Sequence, residues 1–258
     1  MQLTDTHTHL FLSEFDADRG EMLQRAFDKG VTKCFLPNID TSTVPLLLKT
    51  CDEFPAACLP MMGLHPCSVL VNFEQQLIEI KEWFSKRKFY GVGEIGIDLY
   101  HDTSLVEQQK RAFRMQIEWA KEMNLPIIIH CRNSFNEVMD IVSKMHDERL
   151  RGIFHCFSGN PDEAKRVMEL KSFKMGIGGV VTYKNSTLPQ TLSEIPLSYI
   201  VLETDAPYLP PVPFRGKRNE SSYTWYVADK LAEIYRLPIE KIAEITTRNA
   251  VEIFGETL

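Results

Sequence analysis

The sequence lacks any run of about 18 uncharged apolar residues, the length that a membrane-spanning helix needs. Its first residues, Met1 to Asp5, have neither the basic start nor the apolar core of a secretion signal. We therefore expect a cytoplasmic protein with no membrane partner. The six cysteines include no C-x-x-C pair, which argues against a disulfide framework and a thiolate zinc site. Reduced thiols are expected.

A basic excess is also missing, because the formal net charge is -6. Proteins that coat long nucleic acid neutralise many phosphates with Lys and Arg, so this class is disfavoured, although a local basic patch stays open. The 258 residues contain no Gly/Ser-rich linker or low-complexity break. Their number is close to the roughly 250 residues of a typical α/β barrel. We expect one domain spanning residues 1–258, with no obligate protein partner.

Short apolar runs alternate eight times with helix-like segments such as Leu105 to Met123. Parallel strands need crossover helices, and a buried parallel strand reads as a continuous apolar run such as Pro126 to Ile129. An open doubly wound sheet would normally carry a glycine-rich phosphate turn after its first strand, where this sequence has a histidine pair. We therefore predict an α/β protein with a (β/α)8 TIM-barrel fold. The predicted strands are Leu3–Thr6, Val31–Leu36, Ala57–Met62, Phe89–Gly93, Pro126–Ile129, Gly152–Phe154, Phe173–Ile177 and Tyr199–Glu203.

Most of the histidines and two acidic residues lie just past these apolar runs, which is where barrel active sites form. The residues that share this position are His7, His9, His65, Glu94, His130, His155 and Asp205. His7 and His9 are two residues apart on an extended segment, so their side chains point to the same side. The histidines of a lone His-x-His pattern more often lie in the packed core or on the surface than bind a metal. Here the further candidates at strand ends favour a metal site.

Glu94 lies between glycines, where a buried carboxylate would need a partner. A cation is the natural partner, although a buried ion pair with Arg or Lys stays open. A carboxylate can bridge two divalent ions about 3.5 to 4 Å apart. Asp205 could both hold a metal and accept a proton from water. Glu203 has the same strand parity as Asp205. For Glu203, a loop cap or a supporting role behind a ligand is at least as well founded as a direct role in the chemistry.

Three cations, Arg215, Lys217 and Arg218, occupy a loop after the eighth strand, where barrels often bind phosphate. Arg132 follows His130 by two residues. Arginine suits bidentate contact with phosphate oxygens, so these residues favour an anionic substrate. For Lys217, a solvated surface charge is an equal alternative.

The remaining histidines and two cysteines are interpreted more simply. His65 could donate to a phosphate oxygen or pack within its own turn, and both readings stay open. His101 and His146 are expected to be ordinary surface residues. Cys131 and Cys156 each follow a candidate ligand, so strand alternation turns them the other way, as small buried hydrophobic residues.

Together these segments resemble the TatD family of metal-dependent deoxyribonucleases, a group within the metallohydrolase superfamily of (β/α)8 barrels. The resemblance runs from residue 3 to about Phe254 and includes DTHTH, GLHP, GEIGID, PIIIHCR, HCFSG, GIGG, ETDAPYLPP and RGKRNE. It departs at His101 and Asp102, near which the family usually has a second aromatic residue, and this could alter substrate contacts. The resemblance implies hydrolysis of DNA phosphodiester bonds and divalent-metal binding by His7, His9, Glu94, His130, His155 and Asp205.

Our mechanistic hypothesis has two divalent ions, which could be Zn, Mg or Mn. One would be held by the DTHTH histidines with Glu94 and Asp205. The second would be held by Glu94, His130 and His155. A metal-bound hydroxide would attack phosphorus while Asp205 accepts the proton. The phosphate would be oriented by Arg132, His65, Arg215, Lys217 and Arg218.

The rim of an eight-stranded barrel is narrow, so the expected substrate is single-stranded DNA or a free DNA end, cleaved in an exonuclease-like manner. The main alternatives are a hydrolase of small-molecule amides, a deaminase, and a hydrolase of the ester on aminoacyl-tRNA. Small-molecule relatives often bridge their metals with a modified lysine, as the superfamily resemblance implies, whereas this strand carries Glu94. A non-enzymatic barrel with structural metals is disfavoured, since structural zinc sites are commonly rich in thiolates.

Overall fold

The computed structural model describes residues 1–255, and its centre is a set of eight parallel strands in chain order. Hydrogen-bonded ladders run β1-β2-β3 and β4-β5-β6-β7-β8. The strands are β1 (Leu3–Asp5), β2 (Val31–Pro37), β3 (Cys58–Met61), β4 (Val92–Asp98), β5 (Ile127–Arg132), β6 (Gly152–Phe154), β7 (Phe173–Ile177) and β8 (Ile200–Leu202).

Backbone hydrogen bonds join the two ladders at both seams. Between β1 and β8, the Thr6 N–H donates to the Leu202 carbonyl at 2.9 Å. Between β3 and β4, the Met62 N–H donates to the Gly91 carbonyl and the Gly93 N–H donates to the Met62 carbonyl, each at 3.1 Å. The strands therefore form a ring, and the predicted TIM-barrel fold is confirmed.

One α-helix follows each of the first seven strands and two α-helices follow the eighth, besides several short 3₁₀ turns. Within residues 1–255 the helices are α1 (Arg19–Asp28), α2 (Val44–Glu53), α3 (Phe73–Lys86), α4 (Val106–Met123), α5 (Phe135–Met145), α6 (Pro161–Glu169), α7 (Leu188–Leu192), α8 (Thr224–Tyr235) and α9 (Ile239–Phe254). The helix predicted from Leu105 is α4, whose Phe113 and Ile117 are buried. None of these helices combines the length and apolar character needed to cross a bilayer.

Two strands continue past the apolar runs from which they were predicted. β4 was predicted to end at Gly93 and β5 at Ile129, but they extend to Asp98 and Arg132. In their register Gly96 faces His130, and a Cβ atom on Gly96 would lie 2.0 Å from the His130 carbonyl oxygen. Because glycine allows this close approach, the two backbones stay paired beyond the apolar segment.

The barrel interior is filled by alternate side chains of the strands, including Phe35, Ile128 and Val201. The last turns of α9 cover this layer, and the Phe254 ring stacks on the Phe35 ring with 3.7 Å between centroids. The Asn249 amide donates to the Ile200 carbonyl at 2.7 Å, which anchors α9 at the start of β8. The N-terminal end of the barrel is therefore closed, and the C-terminal ends of the strands lie at the opposite end.

Candidate metal centre

The C-terminal ends of the strands bring six side chains together, although they are separated by up to two hundred residues in sequence. They are His7 and His9 after β1, Glu94 within β4, His130 within β5, His155 after β6 and Asp205 after β8. Glu94 and His130 therefore lie inside strands, whereas the sequence analysis placed them just beyond. All six are buried or half-buried.

Glu94 is at the centre of this cluster. Its Oε2 lies 3.1 Å from His7 Nε2 and 3.5 Å from His9 Nε2. Its Oε1 lies 2.8 Å from His130 Nδ1 and 3.7 Å from His155 Nε2. Oε1 also lies 3.5 Å from His65 Nε2. The two carboxylate oxygens thus face different sets of imidazoles, and each oxygen would be able to act as a metal ligand together with its own set.

Asp205 is the second carboxylate of the cluster. Its Oδ1 lies 3.6 Å from His7 Nε2, 3.5 Å from His9 Nε2 and 3.7 Å from His155 Nε2. Its N–H donates to the His7 carbonyl at 2.9 Å, and its φ of 58° is in the left-handed region, which is rare for residues other than glycine. The surrounding structure therefore holds Asp205 in a strained conformation that directs its side chain to the imidazoles.

The charges of the cluster are strongly coupled. Burial alone would raise the pKa of Glu94, but His7, His65 and His155 hold that pKa well below its usual value. Burial opposes a charge on the imidazoles, yet Asp205 and Glu94 raise the pKa of His9 to about 9. Likewise, burial is outweighed by Glu203, Asp205 and Glu94, and the pKa of His155 rises to about 10. The buried carboxylates therefore stabilise positive charge within the cluster.

A divalent cation matches both the negative charge of the carboxylates and the nitrogen and oxygen donor atoms of the cluster. The Nε2 atoms of His7 and His9 are 3.2 Å apart, and both face Glu94. Two ring nitrogens so close to each other and to one carboxylate are satisfied together when they are ligands of a shared cation. Imidazole donors favour zinc, and the carboxylates also admit magnesium or manganese.

Two further buried carboxylates contact the ring nitrogens of His130 and His155 that do not face Glu94. Glu203 Oε1 lies 2.9 Å from His155 Nδ1, and Asp98 Oδ2 lies 2.8 Å from His130 Nε2. Carboxylates in such positions fix the orientation of metal-binding imidazoles. Asp98 was not predicted from the sequence. Asp98 is four residues after Glu94 and therefore lies on the same face of β4. Because the predicted strand ended at Gly93, this alternation was not applied to Asp98.

An open cleft of about 590 Å³ leads from the cluster to solvent. His65 lines it, with Nε2 3.2 Å from His130 Nδ1 and 3.5 Å from Glu94 Oε1. Arg132 lies on the same wall, and its guanidinium carbon is 4.0 Å from the centroid of the Tyr100 ring. The cleft thus has one cationic side chain held in place by an aromatic ring.

The structure does not bring the cations of the loop after β8 to this cleft. The Arg215 guanidinium lies 3.9 Å from the centroid of the Tyr183 ring, beside a separate surface pocket. Arg218 donates to both carboxylate oxygens of Asp18, at 2.6 and 2.8 Å. Lys217 is exposed. The sequence grouped these cations because they are neighbours in the chain, and their contact with substrate stays a prediction.

His101 was expected to be an ordinary surface residue, but it lines the cleft, and its Nδ1 lies 3.1 Å from Asp98 Oδ2. His146 is placed elsewhere, with Nε2 3.1 Å from Ser172 Oγ. Cys131 and Cys156 were expected to be small buried hydrophobic residues that turn away from the ligands. They are half-buried and line a second pocket of about 400 Å³ beside the cluster.

Comparison with known proteins gives a consistent result. A family model described as TatD related DNase matches residues 4–255. The uncharacterized metal-dependent hydrolase YabD of Bacillus subtilis is 39% identical over 253 residues, which are 98% of each chain. The crystal structure of YjjV, a TatD homolog from Escherichia coli, matches with a TM-score of 0.92 at 30% identity and covers 98% of both chains. A TatD family hydrolase from Entamoeba histolytica shares the fold, with a TM-score of 0.83 at 17% identity over 98% of both chains.

Proposed function

The chain belongs to the TatD related DNase family of metal-dependent hydrolases, and from this premise we propose that it hydrolyses phosphodiester bonds at free ends of DNA. The observation that carries the proposal is the position of Glu94 between two sets of imidazoles, at the base of an open cleft. Carboxylate-bridged pairs of cations are a recurrent solution for displacement at phosphorus.

The cluster supplies the residues that such chemistry needs. Divalent cations bound by the six clustered side chains would polarise the phosphate oxygens of the substrate and acidify the attacking water. Asp205 Oδ1 faces the imidazoles, and we assign Oδ2 as the acceptor of the proton that water gives up. Glu203 and Asp98 keep the His155 and His130 rings oriented throughout.

The walls of the cleft favour a single nucleic-acid strand. Arg132 lines the cleft and would donate to phosphate oxygens above the cluster. Both ring nitrogens of His65 have contacts within the protein, and its contact with phosphate stays a prediction. Tyr208 lines the cleft and is 49% exposed, so its ring can stack against a base. A volume of about 590 Å³ is that of a small-ligand pocket and cannot enclose a duplex. The proposed partner is therefore single-stranded DNA or a frayed DNA end.

An amide hydrolase with a lysine-bridged metal pair is less consistent with this cleft. Within residues 1–255 the side chains that line it include no lysine. Lys174 of β7 is largely buried, but its Nζ contacts Glu252 Oε2 and the Ser198 carbonyl, each at 2.8 Å. It is thereby committed to the base of the barrel.

The test is an assay on end-labelled single strands, blunt duplexes and closed single-stranded circles, each with zinc, magnesium or manganese and with chelator. We expect linear strands to shorten progressively from one end, circles to resist, and chelator to abolish cleavage. Cleavage of circles as fast as linear strands would contradict the end-directed proposal. If DNA is not cleaved while aminoacyl-tRNA or a dihydropyrimidine is hydrolysed rapidly, the proposal that the substrate is DNA is wrong.

A further inference from the structure

A second group of metal-binding side chains lies on the outer wall of the cleft. It consists of Cys67, just after β3, together with Asp98 at the end of β4 and His101 in the loop that follows. None of these three belongs to the six clustered residues. We propose that Cys67, Asp98 and His101 form a separate site for a borderline-soft divalent cation such as Zn²⁺.

The distances between the donor atoms are those of a coordination shell. His101 Nδ1 lies 3.8 Å from Cys67 Sγ and 3.1 Å from Asp98 Oδ2, and all three donor atoms lie within 4.8 Å of one another. Tetrahedral zinc with bonds of about 2.3 Å to sulfur and about 2.1 Å to nitrogen and oxygen separates S from N by about 3.6 Å and N from O by about 3.4 Å. The separations of 3.8 and 3.1 Å in the structure are close to these values.

The backbone holds two of the donors in place. Asp98 is buried, and its Oδ1 accepts the N–H groups of Tyr100 and His101, each at 2.9 Å. Its Oδ2 lies 3.1 Å from His101 Nδ1 and 2.8 Å from His130 Nε2, and a carboxylate oxygen has a second lone pair that can bind a cation while the first accepts from His130. On the other side of the site, the Cys67 N–H donates to His65 Nδ1 at 3.1 Å, which fixes the turn that carries the thiol. The ligands therefore need little rearrangement to close around an ion.

The site is open to solvent on one side. Cys67 is exposed, and the His101 side chain is 54% exposed, so an ion can enter directly. Three protein ligands leave a fourth position free, as in zinc sites that bind water or substrate. The three residues line the same cleft as Arg132. A cation here would add positive charge where the proposed substrate has its phosphates, although the site itself stands whatever the substrate is.

Cobalt spectroscopy tests the site without any measurement of activity. The full-length chain, stripped of metal, is titrated with Co²⁺, because a thiolate ligand gives an intense near-ultraviolet charge-transfer band that imidazole and carboxylate ligands do not give. We expect a band whose final intensity corresponds to one thiolate-bound cobalt per chain, in addition to the cobalt that the six clustered residues take up without such a band. The band should be absent in Cys67→Ser and in His101→Ala, and retained in Cys131→Ser, the matched control whose thiol neighbours His130.

Zinc content gives an independent result. After dialysis against zinc, Cys67→Ser should retain one equivalent fewer than the wild type, while Cys131→Ser should retain the same amount. Because Cys67 is exposed, the serine variant should unfold at the same temperature as the wild type. The proposal is overturned by a wild type without the band, by a band that survives Cys67→Ser, or by equal zinc in the two proteins. Loss of nuclease activity would bear on the proposed function alone.

Discussion

Glu203 Oε1 lies 2.9 Å from His155 Nδ1, and both side chains are buried. The same oxygen accepts the Cys156 N–H at 2.8 Å, so the carboxylate is fixed on both sides. A Cβ atom on Gly176 would lie 2.0 Å from Glu203 Oε2, which shows that β7 needs glycine there to admit the carboxylate. Glu203 therefore supports an imidazole of the cluster, in preference to the loop-capping alternative.

Glu203→Gln keeps the shape of this side chain and removes its charge. We expect metal affinity to fall by roughly 10- to 100-fold, the usual effect of losing a carboxylate behind a metal-binding histidine. Isothermal titration with zinc measures the change. Glu169→Gln, on the exposed face of α6, is the matched control and should bind zinc like the wild type. Equal affinity in Glu203→Gln would show that the carboxylate does not position the ring.

Arg132→Ala removes the cation that is stacked on Tyr100 beside the cleft. A hydrogen bond to a charged group contributes about 1.5 to 3 kcal/mol, so we expect KM for a single-stranded oligonucleotide to rise at least roughly 10-fold. Metal content should not change. Arg149→Ala, which removes an exposed arginine paired with Asp147, is the control. An unchanged KM in Arg132→Ala would mean that this arginine does not contact the phosphate.

Phe254→Ala opens the base of the barrel, where its ring stacks on Phe35. Truncating a buried phenylalanine costs about 3 to 5 kcal/mol in free energy of unfolding, because a cavity is left behind. Urea unfolding followed by circular dichroism measures the loss. Phe27→Ala, at a ring that is 40% exposed, should cost much less. Equal losses in the two variants would show that α9 does not seal the barrel.

Asp18 links the start of α1 to the loop after β8 through Arg218 and Arg25. Hydrogen bonds from Arg218, and then from Arg25, hold the pKa of Asp18 well below its usual value. A depressed pKa stabilises the fold fully above the ordinary Asp value of about 4, and the stabilisation is lost as the pH falls below it.

Asp18→Asn should therefore lower the free energy of unfolding by about 1 kcal/mol at neutral pH, as expected for a half-buried ion pair near the surface. The difference from the wild type should shrink as the pH is lowered from 5 to 3. Asp140→Asn, at an exposed position of α5, should show no such dependence. A difference that stays constant with pH would contradict the ion-pair account.

The fold could be predicted from the sequence because its signal is local. Buried parallel strands are apolar runs, and the predicted bounds of β6 and β7 agree with the structure. The ends of β4 and β5 could not be predicted in this way. Their continuation depends on backbone pairing of Gly96 with His130, and pairing across strands leaves no trace in the local hydrophobic pattern.

The site shows the same division. Strand-end position singled out the six residues that the structure brings together, and their role as ligands stays a prediction. Asp98 and His101 were not found, because their place follows from the extension of β4. Arg218 was grouped with its neighbours in sequence, whereas its partner Asp18 lies 200 residues away in the chain. Pairing over such distances is decided by the closed barrel and not by a local pattern.

In our proposal Glu94 joins two sets of ligands into one hydrolytic metal centre. The decisive experiment measures, on the same preparations, the metal content and the DNA cleavage of the wild type and of Glu94→Ala. We predict that bound metal decreases and that cleavage of a linear single strand falls with it, by at least about 100-fold. A Glu94→Ala protein with normal metal stoichiometry and full cleavage would contradict the account.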